Sequence, residues 1–92
     1  MEKNILHIIE ENMAGFSKGR KRIAAYILSN YSEAAFMTAY KMSTLTDVSE
    51  STVVRFAAAL GCEGYPGMQK ALQELVRGER AAEKTGEADR GK

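Results

Sequence analysis

Between Thr38 and Gly61 the chain reads TAYKMSTLTDVSESTVVRFAAALG, and this stretch decides the fold. A helical period of ~3.6 residues divides it into two short helices around a tight turn. In the first, Ala39, Met42 and Leu45 recur three apart and predict one apolar face, with Thr38 as its start. Asp47 stops that helix where such a turn wants a left-handed backbone. Glycine is the common choice there, and Asp tolerates the conformation better than most residues. Val48 follows as an isolated apolar residue. Ser49 then suits the N-cap of the second helix, because its hydroxyl can accept from a free backbone N–H one turn on. That helix runs to Leu60, and Gly61 is the usual left-handed terminator.

The second helix divides cleanly. Val53, Phe56, Ala57 and Leu60 fall on one side and must face a core, whereas Ser51, Arg55 and Ala58 fall opposite, flanked by Glu50, Thr52 and Val54. Short helix, tight turn and second helix form a helix-turn-helix, the motif whose second helix lies in the DNA major groove. A groove-reading helix needs small polar residues at its N-terminus, so that the backbone can approach, and a long cation a turn later. Ser51, Thr52 and Arg55 have that order. Ser43 stands where the motif prefers Ala for close helix packing, and Ser is small enough to fit.

Outward from this stretch, Ile5, Leu6, Ile8, Ile9 and Met13 predict a first helix ending near Ala14-Gly15. Ser17 can cap a second, with Ile23, Ala24, Ile27, Leu28 and Tyr31 as its stripe and Asn30 to Ser32 as its close. Residues 33–36 read as a separate helical turn capped by Ser32. Pro66 fits the first turn of a last helix, where its missing N–H is harmless, and Tyr65, Met68, Leu72, Leu75 and Val76 supply the buried side. The expected fold is all-α, a compact bundle of five to six short helices. Residues 1–77 form the domain and residues 78–92 a polar tail, a frayed helix end or disordered.

Composition bounds the rest. The 92 residues suit one domain with one core. One Cys and one His can make neither an internal disulfide nor a four-ligand zinc site. No apolar run can span a bilayer and no signal peptide is visible, so no membrane role and a cytoplasmic location are expected. No catalytic constellation or phosphate loop stands out, so no enzyme activity, cofactor or metal is expected. The net charge of +1 is uninformative as a sum, because the four basic and four acidic residues of 78–92 cancel while Lys18, Arg20, Lys21 and Arg22 cluster within five positions. Cations at a helix N-terminus are locally unfavourable and invite an external anion.

The string Ser49-Glu50-Ser51-Thr52-Val53-Val54-Arg55-Phe56, followed by Leu60-Gly61 and Gly64-Tyr65-Pro66, closely resembles the RpiR family of bacterial transcriptional regulators. Lys18 to Leu28 and Ala35-Phe36-Met37-Thr38 extend the resemblance upstream, so that it covers roughly residues 1–77. It implies sequence-specific binding to double-stranded DNA, usually as a homodimer on a two-fold related operator. It also implies, for a full-length regulator, a C-terminal sugar isomerase (SIS) domain with a phosphosugar effector, a domain this chain stops short of. Where family members often carry basic residues after the Arg-Phe pair, this chain has Ala57, Ala58 and Ala59. The domain alone is therefore expected to bind DNA weakly and to need a dimer.

On this reading the DNA-binding candidates are Ser49, Glu50, Ser51, Thr52 and Arg55 on the second helix of the motif. Arg20, Lys21, Lys41 and Lys70 are candidate phosphate contacts. Glu50 either accepts from a cytosine amino group or complements the helix dipole, and Val54 either touches a thymine methyl or packs on the core. Arg55 reaches a base edge or a phosphate, or pairs on the surface with Glu50 or Glu63. Cys62 and the methionines read as packing residues. The alternative function is a helix-turn-helix repurposed as a protein–protein or dimerisation module with weak DNA contact, which the alanine run and near-neutral charge motivate.

Overall fold

The computed structural model describes residues 4–91, with side chains described over residues 4–78. It is all-α, in five helices: α1 (Ile5–Asn12), α2 (Lys18–Ala34), α3 (Ala39–Thr46), α4 (Glu50–Ala59) and α5 (Gly64–Gly91). A single 3-10 turn, Met13–Gly15, joins α1 to α2. Each of the first four helices starts at a side-chain cap with extended backbone. Asn4 accepts from the His7 amide, Ser17 from Arg20, Thr38 from Lys41 and Ser49 from Thr52. One orphan donor per helix is thereby satisfied within a turn of where the apolar pattern begins.

All five helices contribute to one core. Ile9, Ile23, Ile27, Met42, Phe56, Met68 and Leu72 are fully buried, and each such burial stabilises by about 1.5–3 kcal/mol. Phe56 of α4 sits at the centre, its ring tilted at 55° to Phe16 with centroids 5.2 Å apart, within the range of favourable aromatic pairs. The helix α4 packs on α2, α3 and α5, and α1 closes the side formed by α2 and α5. Gly78, where the apolar pattern fades, lies within α5 and not at its end.

Two expectations need correction. Residues 33–36 are not a separate capped turn. The helix α2 continues through Ser32 to Ala34, and the break survives as a kink at Asn30 (φ −138°, ψ 43°). The Asn30 amide donates to the Tyr26 carbonyl one turn back (3.3 Å), the local competition with the helical ladder that Asn offers. The apolar face expected of α3 is also shifted: Met42 is buried, but Leu45 is 48% exposed, and Ser43 and Thr46 are buried instead. Their hydroxyls cost little to bury because each donates within its own helix, Ser43 to the Tyr40 carbonyl at 2.6 Å and Thr46 to that of Met42 at 2.7 Å.

Polar side chains of α5 tie down the entry to α3. The Tyr65 hydroxyl and the Gln69 amide both donate to the Met37 carbonyl (2.8 and 2.9 Å), and Gln73 donates to that of Ala35 (2.9 Å). These carbonyls lie just beyond the end of α2, where helical acceptors run out of donors. The four-residue spacing of Tyr65, Gln69 and Gln73 aligns them on one face of α5.

Candidate nucleic-acid interface

The turn between α3 and α4 has the geometry that the motif requires. Asp47 adopts the left-handed conformation (φ 59°, ψ 46°), the only non-glycine positive φ among the described residues. The Val48 amide returns to the Ser43 carbonyl (3.1 Å), so the chain reverses within three residues. Ser49 then caps α4 through the Thr52 amide at 3.1 Å, and its hydroxyl also pairs with that of Thr52 at 2.8 Å. Gly61, at φ 88°, ends the helix as the sequence predicts.

With Val53, Phe56 and Ala57 buried, α4 presents a continuous outer face: Glu50, Ser51, Val54, Arg55 and Ala58 are exposed. Val54 thus stands off the core, 41% exposed, which removes its packing alternative. Glu50 occupies the first turn of α4, where its charge complements the helix dipole. Small residues at positions 51 and 58 leave the middle of the face low, and Arg55 is its one long cation.

The N-terminus of α2 comes up beside this face. Gly19 eases the approach: a Cβ there would lie 3.3 Å from Val48 Cγ1, tighter than an ordinary contact, and 3.9 Å from Thr52 Cγ2. The result is a recess of about 370 Å³ lined by Gly15, Ser17, Arg20, Thr52 and Arg55. Of the candidates drawn from the sequence, it gathers Arg20, Thr52 and Arg55. Lys21, Lys41 and Lys70 do not line it. Lys21 is exposed on α2, Lys41 is exposed in the first turn of α3, and Lys70 is exposed on the side of α5 opposite its buried face. Ser17 and Gly15 were not singled out as site residues, and Gly19 gave no signal, since glycine in a helical pattern carries no period of its own.

A second concavity, about 410 Å³, lies between α1 and α5 and is lined mainly by Ile5, Ile8, Leu60, Cys62, Ala71 and Leu75. Cys62 is half-buried there, and burial pushes its thiol pKa up, the opposite of what a reactive thiolate needs. His7 is exposed. Among the described residues no group of three or more His, Cys, Asp or Glu side chains is placed to hold a metal ion, and no helix is long and apolar enough to cross a membrane.

Residues 3–77 match the helix-turn-helix domain of the rpiR family. The chain is similar to the uncharacterised HTH-type transcriptional regulator YfhH of Escherichia coli K12, with 31% identity over 68 residues, 74% of this chain and 24% of that protein. It is also similar to the HTH-type transcriptional regulator HexR of Pseudomonas aeruginosa, with 32% identity over 77 residues, 83% of this chain and 27% of that protein. It thus spans about a quarter of the length of these curated relatives. With the family match extending from before α1 into α5 and enclosing the motif just described, the chain belongs to the rpiR family of helix-turn-helix domains.

Proposed function

We propose that residues 1–77 are a sequence-specific DNA-binding domain of a transcriptional regulator, with α4 entering the major groove. One observation carries this reading: α4 is anchored on one side by Val53, Phe56 and Ala57 and exposes an unbroken opposite face on which Ser51, Val54 and Ala58 are small and Arg55 is the one long cation. Such a face lets the helix backbone approach base edges. In this arrangement Ser51, Thr52 and Val54 meet the floor of the groove. Ser49 contributes chiefly by capping, Glu50 by complementing the dipole, and Arg55 lies where floor and backbone meet. Arg20, Lys21, Lys41 and Lys70 supply backbone contacts that set register and carry no sequence information.

The domain acts as one half of a homodimer, because one short helix reads only a half-site. In a full-length regulator the resemblance implies a phosphosugar effector bound by a separate SIS domain. The relatives' description as transcriptional regulators supports a role in transcription and no enzyme activity of the domain itself.

The decisive experiment is a binding selection from random duplex DNA with the 92-residue chain. Enrichment of a two-fold related motif, with affinity falling as salt rises, is the expected result. No enrichment and no salt-dependent binding at micromolar protein, together with tight self-association by ultracentrifugation, would transfer the motif to a protein–protein role.

A further inference from the structure

The recess between α2 and α4 is lined by two arginines from different helices, and among the described residues no carboxylate lines it. Among the described residues neither Arg20 nor Arg55 has an ion-pair or side-chain hydrogen-bond partner. Both arginines bring positive charge to the walls of one small space, and no described side chain of opposite charge shares that lining. The first turn of α2 adds to the same field. Ser17 caps the Arg20 amide (3.5 Å), which leaves other first-turn amides and the positive end of the α2 dipole beside the recess. Thr52 lines the opposite wall, with its hydroxyl already joined to Ser49 at 2.8 Å.

We propose that this recess clamps a single backbone phosphate of the duplex, held between Arg20 and Arg55, and that Arg55 therefore sets the register of α4 instead of reading a base. The inference rests on the DNA-binding reading above and assigns one of its contacts. The ligand is a tetrahedral anion with several acceptor oxygens, which suits two guanidinium forks approaching from separate directions. The geometry also follows from how the motif docks. A helix entering the major groove has a phosphate backbone along each flank, and α2 lies on the Thr52–Arg55 flank of α4. Gly19, next to Arg20, lies against Val48 and Thr52 on that flank. Sequence reading falls in one region of the interface, on Ser51, Val54 and Ala58, and positioning in another, beside Thr52.

The test is fluorescence anisotropy of the chain against two duplexes, the one enriched by selection and a scrambled one, across a salt series. Arg20→Gln, Arg55→Gln and the double variant are compared with the parent, and thermal melts confirm that these surface changes leave the fold intact. Each single variant should weaken both duplexes by the same factor. The double variant should lower the slope of log affinity against log salt by about 0.9, one phosphate's worth. A loss of about 1.8 in slope would mean two separate phosphates and would overturn the shared clamp. An unchanged slope would overturn it as well. A loss confined to the selected duplex would return Arg55 to a base edge. Inorganic phosphate, titrated against the chain alone, separates the sources: saturation that leaves duplex affinity untouched rules out the backbone as occupant. If the parent binds neither duplex, the DNA reading itself fails, an outcome distinct from all of these.

Discussion

The two helices of the motif start alike and pack by different rules. Both follow a hydroxyl cap in extended conformation, Thr38 for α3 and Ser49 for α4, and they are eight and ten residues long. The helix α4 buries an apolar face of Val53, Phe56 and Ala57. The helix α3 buries Met42 with two hydroxyl residues, Ser43 and Thr46, and leaves Leu45 outside. On the DNA-binding reading proposed above, the difference is one of role. The helix α4 must be held rigidly so that its outer face can be presented, and a large aromatic anchor does that. The helix α3 must come close to α4 across a three-residue turn, and small side chains whose hydroxyls are satisfied internally allow the approach.

Removing the anchor of α4 should have the largest effect. Phe56→Ala deletes a fully buried ring that also contacts Phe16, and should cost about 3–5 kcal/mol in denaturant unfolding. That is a large part of the stability of a domain this size, so loss of cooperative unfolding at room temperature is the expected extreme. Next, on α3, Ser43→Leu would force extra volume into a position that is already buried. It should cost about 1–3 kcal/mol even though it makes the buried face more apolar. If Ser43→Leu stabilises the domain in the same titration, close packing is not what the small residue provides.

The sequence made α4 legible and α3 only half so, for a physical reason. Apolar periodicity reports burial when burial is by apolar side chains, and Val53, Phe56, Ala57 and Leu60 obey it. It fails where hydroxyls are buried because their own helix satisfies them, as with Ser43 and Thr46. Caps and turn were readable because each is local: Ser17, Thr38 and Ser49 bond within three residues, and Asp47 carries its own conformational preference. The recess was not readable. It joins residues 15–20 to 52–55 through a glycine whose contribution is the absence of a side chain, and nothing in the pattern marks that. The donation from Gln69 and Gln73 to the carbonyls before α3 was equally invisible, since both look like ordinary surface positions of an amphipathic helix.

That donation supplies a smaller test, now of how α3 is held. Burial foremost, with the charge of Tyr26 adding to it, pushes the Tyr65 hydroxyl up to about 12. The neutral form is the one the fold needs, because only it can donate to the Met37 carbonyl. A folded-state pKa above the unfolded value of ~10 means that this contribution is complete below pH 10 and is lost as pH rises towards 12. Tyr65→Phe should therefore lower stability by about 0.5–1.5 kcal/mol at neutral pH, towards the low end, because Gln69 still serves the same carbonyl at 2.9 Å. It should also flatten the alkaline fall in melting temperature between pH 10 and 12. A variant that melts as steeply as the parent over that range would place the titrating group elsewhere.

The smallest expected effect discriminates most sharply between pattern and structure. The spacing of Ala39, Met42 and Leu45 puts Leu45 in the core, where replacement by a polar residue would cost several kcal/mol through lost burial and an unsatisfied amide. The structure leaves Leu45 48% exposed, which calls for a change within about 0.5 kcal/mol. Leu45→Gln is the right substitution, because the two residues have nearly equal helix propensity and the backbone contribution cancels. Equilibrium unfolding then reads burial alone. An outcome above 2 kcal/mol would mean that α3 is rotated about its axis relative to the arrangement described. Such a rotation would withdraw Ser43 and Thr46 from the buried side of α3 and remove the reason for their being small. A near-zero outcome beside the loss from Ser43→Leu fixes the azimuth of α3 from two sides, one residue that tolerates polarity and one that does not tolerate volume.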